Sequence, residues 1–356
     1  MIFYCVAAIA PLISWLYYDS QRIGKQLNTD EQERFKRKVL FVAILPMVLL
    51  FVLRYKYVGA DTIGYVRFFQ GEVRGYSFKE LLSENLMRIE VGYRLYVKLI
   101  SLLTDNYTVY FLINAIVIFG SLYRFSLKYT NNPFIFFYLF ITLGTYQFIE
   151  TGLRQSLAMI ICLWAVDFIK DRRPIRFLLV VALAYLFHKS AMIFLLIYPL
   201  CSIKRYRWMA ITYVIIAIVF IFGFANFQSL FNELLGYDYE IEETGNGGIF
   251  LAIIMLVCAY SVFVMVGKGT DKENQTAIIQ MAFMTVVFWL LRLVSRTAER
   301  ISFYFIFGLY TYFSQTVDYD DSRLKTAFRW AILAVCIALF VYRILGVKYQ
   351  FFWQGV

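Results

Sequence analysis

Long apolar runs recur from one end of this chain to the other, and the short stretches between them carry most of its charge. A run of about 20 apolar residues is what an α-helix needs to cross ~30 Å of hydrocarbon. Of the 356 residues 61% are hydrophobic and 17% charged, whereas soluble domains carry about 25% charged residues. A water-soluble globular enzyme is therefore excluded. Lys and Arg number 35 against 24 Asp and Glu, a net charge of +11. In a soluble protein that excess would point to nucleic acid; here it reads as loop bias toward the cytoplasm, and no nucleic-acid partner is expected. Cys5, Cys162, Cys201, Cys258 and Cys336 lie inside apolar runs without paired spacing, and the chain has one His. Neither a disulfide framework nor a metal site is expected, and no cofactor is implied.

The first run, 2–18, has no basic residue before it and is followed by Arg22, Lys25, Arg34, Lys36, Arg37 and Lys38. A secretory signal carries its charge on the other side, so this run reads as a retained span with its N-terminus outside. Further spans are predicted at 38–53, 107–123, 133–149, 153–169, 208–227, 249–267, 276–293, 301–317 and 327–345. A single helix through 175–203 would bury His188 and Lys189 at mid-bilayer, at a cost of several kcal/mol. Two short spans meeting at His188 avoid it. The split also places Lys204, Arg205, Arg207, Lys268, Lys272, Arg323, Lys325 and Arg329 inside. Glu233, Asp238, Glu240, Glu242 and Glu243, in an acidic loop at 228–248, then fall outside. The expected fold is an all-α integral membrane protein, one polytopic domain over residues 1–356 with twelve transmembrane helices and both termini outside.

One long polar segment, 54–106, lies on the outer face of this scheme. From Glu80 to Thr104 its apolar residues recur at helical spacing between Arg88, Arg94 and Lys98, which predicts an amphipathic helix lying along the interface. There is no fixed-period repeat. The 36 Phe, 28 Tyr and 6 Trp suit interfacial belts and lipid-facing packing.

With sides assigned, the costly residues converge. Arg54, Asp61, Glu90, Glu150, Arg154, His188, Arg292, Arg296, Glu299 and Arg300 all fall at outer span ends or in outer connections. Charges at a membrane edge face a cavity, or one another, or reach for lipid headgroups. Arg154 opens an apolar span beside Gln155, where the two could present several donors together, and a guanidinium suits bidentate phosphate contact. Arg292, Arg296 and Arg300 are spaced four apart and would form a stripe on a continuous helix, either an anion site or a patch answering the acidic loop. Asp61, Glu90 and His188 are candidates for acid–base work; solvated loop charge is the alternative for the carboxylates, and a structural histidine for the third. The phosphate-loop, dinucleotide and zinc-protease motifs are absent from the sequence. Asn106-Tyr107-Thr108 fits a glycosylation sequon too common to decide anything.

In order along the chain, five segments resemble the EpsG family of bacterial membrane proteins, which belongs with the Wzy-like polysaccharide polymerases. They are Arg54 through Val58-Gly59-Ala60-Asp61-Thr62 to Tyr65, Glu90-Val91-Gly92-Tyr93, Leu153-Arg154-Gln155-Ser156-Leu157-Ala158, Phe187-His188-Lys189-Ser190-Ala191, and Arg296 to Tyr304. Ala60 departs from the small polar residue frequent before the aspartate in that family. The resemblance implies a glycosyltransferase C-like architecture in the bacterial cytoplasmic membrane. It further implies joining of oligosaccharide repeat units carried on undecaprenyl diphosphate, as donor and acceptor, on the periplasmic or exterior side. A chain-length regulator is a further candidate partner. On this reading Arg154, Gln155, Arg296 and Arg300, with Arg54 assisting, meet the diphosphates, and Asp61, Glu90 or His188 takes the acceptor proton or positions sugar. Breaking the sugar–diphosphate bond develops negative charge on the leaving group, which preorganised guanidinium groups stabilise best in a partly dry cavity. The alternatives are a transporter or flippase of lipid-linked oligosaccharide, which should line a path open to both sides, and a membrane O-acyltransferase, which needs partners for its His.

Overall fold

A computed structural model of the chain describes every residue except 26–27, 84–88, 204, 236–246, 266–271, 320–321 and 356. Among the described residues it is helical, with an isolated antiparallel bridge between Arg54 and Phe351. The helices are α1 Ile2–Lys25, α2 Thr29–Leu53, α3 Thr62–Arg67, α4 Val73–Gly75, α5 Phe78–Leu81, α6 Val91–Leu103, α7 Tyr107–Tyr129, α8 Pro133–Thr142, α9 Thr145–Thr151 and α10 Leu153–Lys170. They continue as α11 Pro174–Tyr185, α12 Ile197–Leu200, α13 Tyr206–Leu235, α14 Gly248–Met265, α15 Lys272–Leu291, α16 Thr297–Ser302, α17 Ile306–Gln315 and α18 Arg323–Ile344.

Helices overlie the predicted apolar runs, but 133–149 is divided between α8 and α9 and 301–317 between α16 and α17, and 266–267 lie outside the described residues. Ile2–Gly24, Tyr107–Tyr129, Gly248–Met265 and Arg323–Ile344 are each long and apolar enough to cross a membrane, and α8 with α9 makes a fifth candidate as a pair bent by 63°. Ile116, Leu179 and Phe222 are among many large apolar side chains left exposed on helix surfaces, far more than a water-facing protein tolerates. This is a helical membrane protein. The bend between α8 and α9 falls at Gly144, whose φ of +82° is left-handed and natural to glycine. The Arg343 guanidinium occupies the space a side chain there would need.

The chain forms two compact units. The first contains residues 1–160, 186–188 and 336–356; the second contains 161–185 and 189–335. In the first, α1 packs on α2 and α8, and α2 on α7. Residues 349–351 run back against the end of α2. The Tyr55 N–H donates to the Gln350 carbonyl at 2.8 Å, and the Tyr349 hydroxyl donates to the Leu50 carbonyl at 2.7 Å. In the second unit, α15 packs on α13, α14, α16 and α17, and α11 pairs with the 3-10 helix Lys189–Leu196. The chain turns between Tyr185 and Lys189, so a break in the helix stands where the two short spans were expected to meet.

Caps explain where several helices start. Asn28 and Glu31 form a capping box at α2, and the Asn132 side chain accepts from the Ile135 N–H ahead of Pro133 in α8. Asn106, the sequon asparagine, is the N-cap of α7, its side chain accepting the Thr108 N–H at 2.8 Å.

In the outer segment the expected helix from Glu80 onward starts instead at Val91. Ser77 and Glu80 close a capping box on the one-turn α5, and Glu90 is extended (φ −64°, ψ 143°); Arg88 lies outside the described residues. In α6, Arg94 and Lys98 are buried, donating to the carbonyls of Ser83, Val73 and Arg74. Leu99, Leu102 and Leu103, at helical spacing, are exposed instead. The acidic residues Asp238, Glu240, Glu242 and Glu243 also lie outside the described residues.

Candidate functional site

Four of the five ordered segments contribute to the first unit, where backbone fit brings them together. Gly59 has a φ of +96°, and a Cβ on it would stand 2.5 Å from Thr62 Oγ1 and 3.1 Å from the Glu150 carbonyl oxygen. Thr62 Oγ1 donates to that same carbonyl at 3.1 Å. The Gly59–Thr62 turn is thus stitched to the end of α9, just ahead of Arg154. Asp61, at the N-terminus of α3, makes no capping bond of its own, and its carboxylate is exposed.

Glu90 and Arg154 meet across 64 positions of sequence. Arg154 Nη1 donates to Glu90 Oε2 at 2.6 Å, with the glutamate side chain 5% exposed and the arginine 24%. Tyr65, one turn into α3, lies within reach of the Arg154 charge; burial pushes its phenol up and the guanidinium draws it back. Asp61 adds its negative charge to the same neighbourhood. An anion, a cation and a phenol therefore share one edge of the unit, with Asp61 beside them.

Gly92 explains how the turn at His188 joins this group. Its N–H donates to the Leu186 carbonyl at 2.8 Å, and a Cβ there would lie 2.7 Å from that oxygen. Tyr96 contacts Phe187, ring centroids 5.8 Å apart. His188 itself is buried. Tyr93, next in the segment, is buried and shares a 2.7 Å hydroxyl contact with Tyr110.

Two expectations change here. Gln155 is buried whereas Arg154 is part-exposed. Consecutive residues of a helix point about 100° apart and do not face each other, so the two do not present donors as a pair. Arg54 is wholly buried. Its guanidinium sits 4.0 Å from the Phe51 ring centroid and 4.2 Å from that of Phe111, with Nη1 donating to the Phe51 carbonyl. Its charge is answered by Glu150, whose Oε2 accepts from the Tyr4 hydroxyl at 2.9 Å. Arg54 offers a diphosphate no surface; it is packed between the rings of Phe51 and Phe111.

In the second unit the expected arginine stripe is broken. Helix α15 ends at Leu291 and α16 begins at Thr297; between them the Ser295 hydroxyl accepts the Thr297 N–H at 3.3 Å. Arg292 is buried and pairs with Glu299, Nε to Oε2 at 2.8 Å, while Arg296 and Arg300 are exposed. The spacing of four positions the three on one face only if the helix runs through, and it does not. Ser190 and Tyr304, from two of the ordered segments, share a hydroxyl contact at 2.9 Å.

Sequence reasoning missed Tyr65 as the companion of Arg154, and the Tyr4–Glu150 bond. Tyr4 stands in the first apolar run, where nothing distinguishes it from packing residues. No group of three His, Cys, Asp or Glu side chains able to hold a metal ion occurs among the described residues. What the first unit can do is bind and orient: a fixed guanidinium for an anion and an exposed carboxylate nearby for a hydroxyl.

Among known proteins, residues 37–354 match the family described as EpsG. No curated protein and no solved structure matches the chain.

Proposed function

Because the chain belongs to the EpsG family, a family of Wzy-like polysaccharide polymerases, we propose that it joins oligosaccharide repeat units carried on undecaprenyl diphosphate at the outer face of the bacterial cytoplasmic membrane. On this reading the helices make twelve crossings, both termini lie outside, and the exposed leucines of α6 rest on the outer leaflet. The growing chain on its lipid diphosphate is the donor and a new lipid-linked unit the acceptor.

The acceptor hydroxyl oxygen attacks the anomeric carbon of the donor. The bond from that carbon to the diphosphate oxygen breaks, and its electron pair leaves with the diphosphate. Arg154 offsets the charge that develops there, and it acts more strongly at a part-buried edge than in water. Glu90 fixes the guanidinium in place, its own charge already matched. Asp61, exposed and within the same electrostatic neighbourhood, takes the acceptor proton. His188, buried behind Gly92, positions sugar or shapes the wall. Arg296 and Arg300 are exposed guanidinium groups able to hold a diphosphate, and Arg54, packed between Phe51 and Phe111, shapes the end of α2.

The observation that carries this reading is the 2.6 Å pair of Glu90 and Arg154 at the point where three of the ordered segments meet. Its test is reconstitution. Purified protein in vesicles, given lipid-linked repeat units without nucleotide, yields a ladder of polymer. Transfer of intact lipid between leaflets with no ladder would refute the polymerase and leave a transporter.

A further inference from the structure

The chain leaves α18 at Gly346, which takes a left-handed φ of +84°, and residues 347–350 then run on without helix. Val347, Lys348 and Gln350 are exposed. Exposed irregular backbone is not found in hydrocarbon, where no water pairs its N–H and C=O groups. This segment therefore lies at the headgroups or beyond them.

The turn that follows is built to hold rings. The Phe351 N–H donates to Gln354 Oε1 and the Gln354 N–H to the Phe351 carbonyl, each at 2.9 Å. Trp353 lies parallel to Phe351, with 7° between the planes and 4.5 Å between centroids, and Phe3 meets the Phe351 ring edge-on at 5.0 Å. Trp353 is 55% exposed; with one face on Phe351, that exposure belongs to its other face and its edges. The bridge between Arg54 and Phe351 brings residues 55–57 alongside. Gly355 lies so close to the Tyr55 ring that a Cβ on it would stand 2.0 Å from a ring carbon. Tyr57, exposed, has its ring 5.3 Å from that of Tyr55, and Lys56 Nζ lies 5.7 Å from the Tyr57 centroid. Gln350 and Gln354, on either side of Phe351 and Trp353 in sequence, are exposed.

We propose that this patch is a glycan-binding shelf, on which sugar rings lie flat against Trp353 and Tyr57 while Gln350, Gln354 and Lys56 hydrogen-bond their hydroxyls. The C–H face of a sugar ring suits the negative face of an aromatic ring, and its rim of hydroxyls suits amide and ammonium donors. Rings already locked by packing lose little freedom when a ligand arrives. A glycan fits better than acyl chains because the irregular backbone keeps the segment out of hydrocarbon and polar side chains alternate with the rings. The shelf also leads into the site described above. The Val58 N–H donates to the Tyr55 carbonyl at 2.9 Å, and Asp61 stands four residues beyond Tyr57. The choice of ligand rests on the polymerase reading, and the role it gives the shelf is to retain the glycan between additions.

The test titrates the full-length protein in detergent with the repeat-unit oligosaccharide released from its lipid by mild acid, and compares the same variants in the vesicle ladder assay. W353A and Y57A each bind the oligosaccharide about tenfold more weakly and make shorter polymer, while W353F, which keeps a ring, loses less than W353A. W208A, which removes an exposed ring of the second unit, changes neither binding nor length. A wild type that makes no ladder yet binds the oligosaccharide through Trp353 and Tyr57 supports the shelf and refutes the polymerase. Unchanged affinity and wild-type ladders in W353A and Y57A overturn the shelf and leave the polymerase standing. Quenching of the Trp353 fluorescence, taken as wild type less W353F, by lipids brominated on their acyl chains would also overturn it and make the rings a membrane anchor.

Discussion

Replacing Gly92 with Ala tests how the turn at His188 is held. The added methyl would stand 2.7 Å from the Leu186 carbonyl oxygen, 2.8 Å from its Cβ and 2.9 Å from its carbonyl carbon. Non-bonded carbon atoms are comfortable at about 3.5–4.0 Å, so the two backbones must part by about 1 Å. The obstacle is backbone and Cβ, not the tip of a flexible side chain, so it cannot swing aside. A shift of that size breaks the 2.8 Å bond from the Gly92 N–H to Leu186, a loss of about 1 kcal/mol. Overpacking adds about 1–3 kcal/mol. Alanine returns at most about 1 kcal/mol of helix propensity, and less in a first turn. The net destabilisation is about 1–3 kcal/mol, felt where His188 and Phe187 meet α6. Gly64 is the control: nothing lies within 4 Å of a Cβ there, so G64A gains up to about 1 kcal/mol. Thermal unfolding in detergent and glycan chain length in cells are the two readouts. G92A melting as high as G64A, with full-length glycan, would falsify the account of the turn.

The remaining expectations concern the charged groups. Arg154→Lys keeps the charge but loses the fork, so long-chain glycan disappears while the protein stays in the membrane; normal chain length would remove Arg154 from contact with diphosphate. Glu90→Gln lowers the polymerisation rate, and combined with R154K it costs less than the two losses added, with a coupling of about 1 kcal/mol or more; strict additivity of initial rates would show that the pair does not act as a unit. Arg54→Ala vacates the space between Phe51 and Phe111 and removes the cation whose charge reaches Glu150, which lowers membrane accumulation. R54M with E150Q removes both charges and recovers much of it. Failure of that double change to recover protein would mean that Arg54 matters through its ring contacts instead.

Charge cost made one break readable: His188-Lys189 could not sit at mid-bilayer, and the chain turns there. The start of α6 was less readable, because the apolar rhythm from Glu80 continues through Glu90, where the backbone is extended. The Arg292–Arg296–Arg300 stripe failed for a related reason. Leu291 to Arg296 contains neither Gly nor Pro, so nothing marks the break that turns Arg292 inward onto Glu299. The members of the outer cluster were visible as costly residues. Their pairing was not, since a bond between positions 90 and 154 leaves no local trace. Burial decided the rest: Arg54 and Glu150 look alike at span ends, and only packing shows that both are buried, Glu150 against the Tyr4 hydroxyl and Arg54 between two rings.

The first unit is discontinuous, and the order of synthesis gives that a consequence. Its last contributors, residues 336–356, leave the ribosome after the whole second unit has been made. Until then Arg54 lacks its bridge to Phe351 and Leu50 lacks the Tyr349 hydroxyl. The earliest helices can pack on one another at once, but the closure of the end of α2 by residues 349–351 comes last. Deletions reaching Tyr349 leave the Leu50 carbonyl at the end of α2 without its hydroxyl donor.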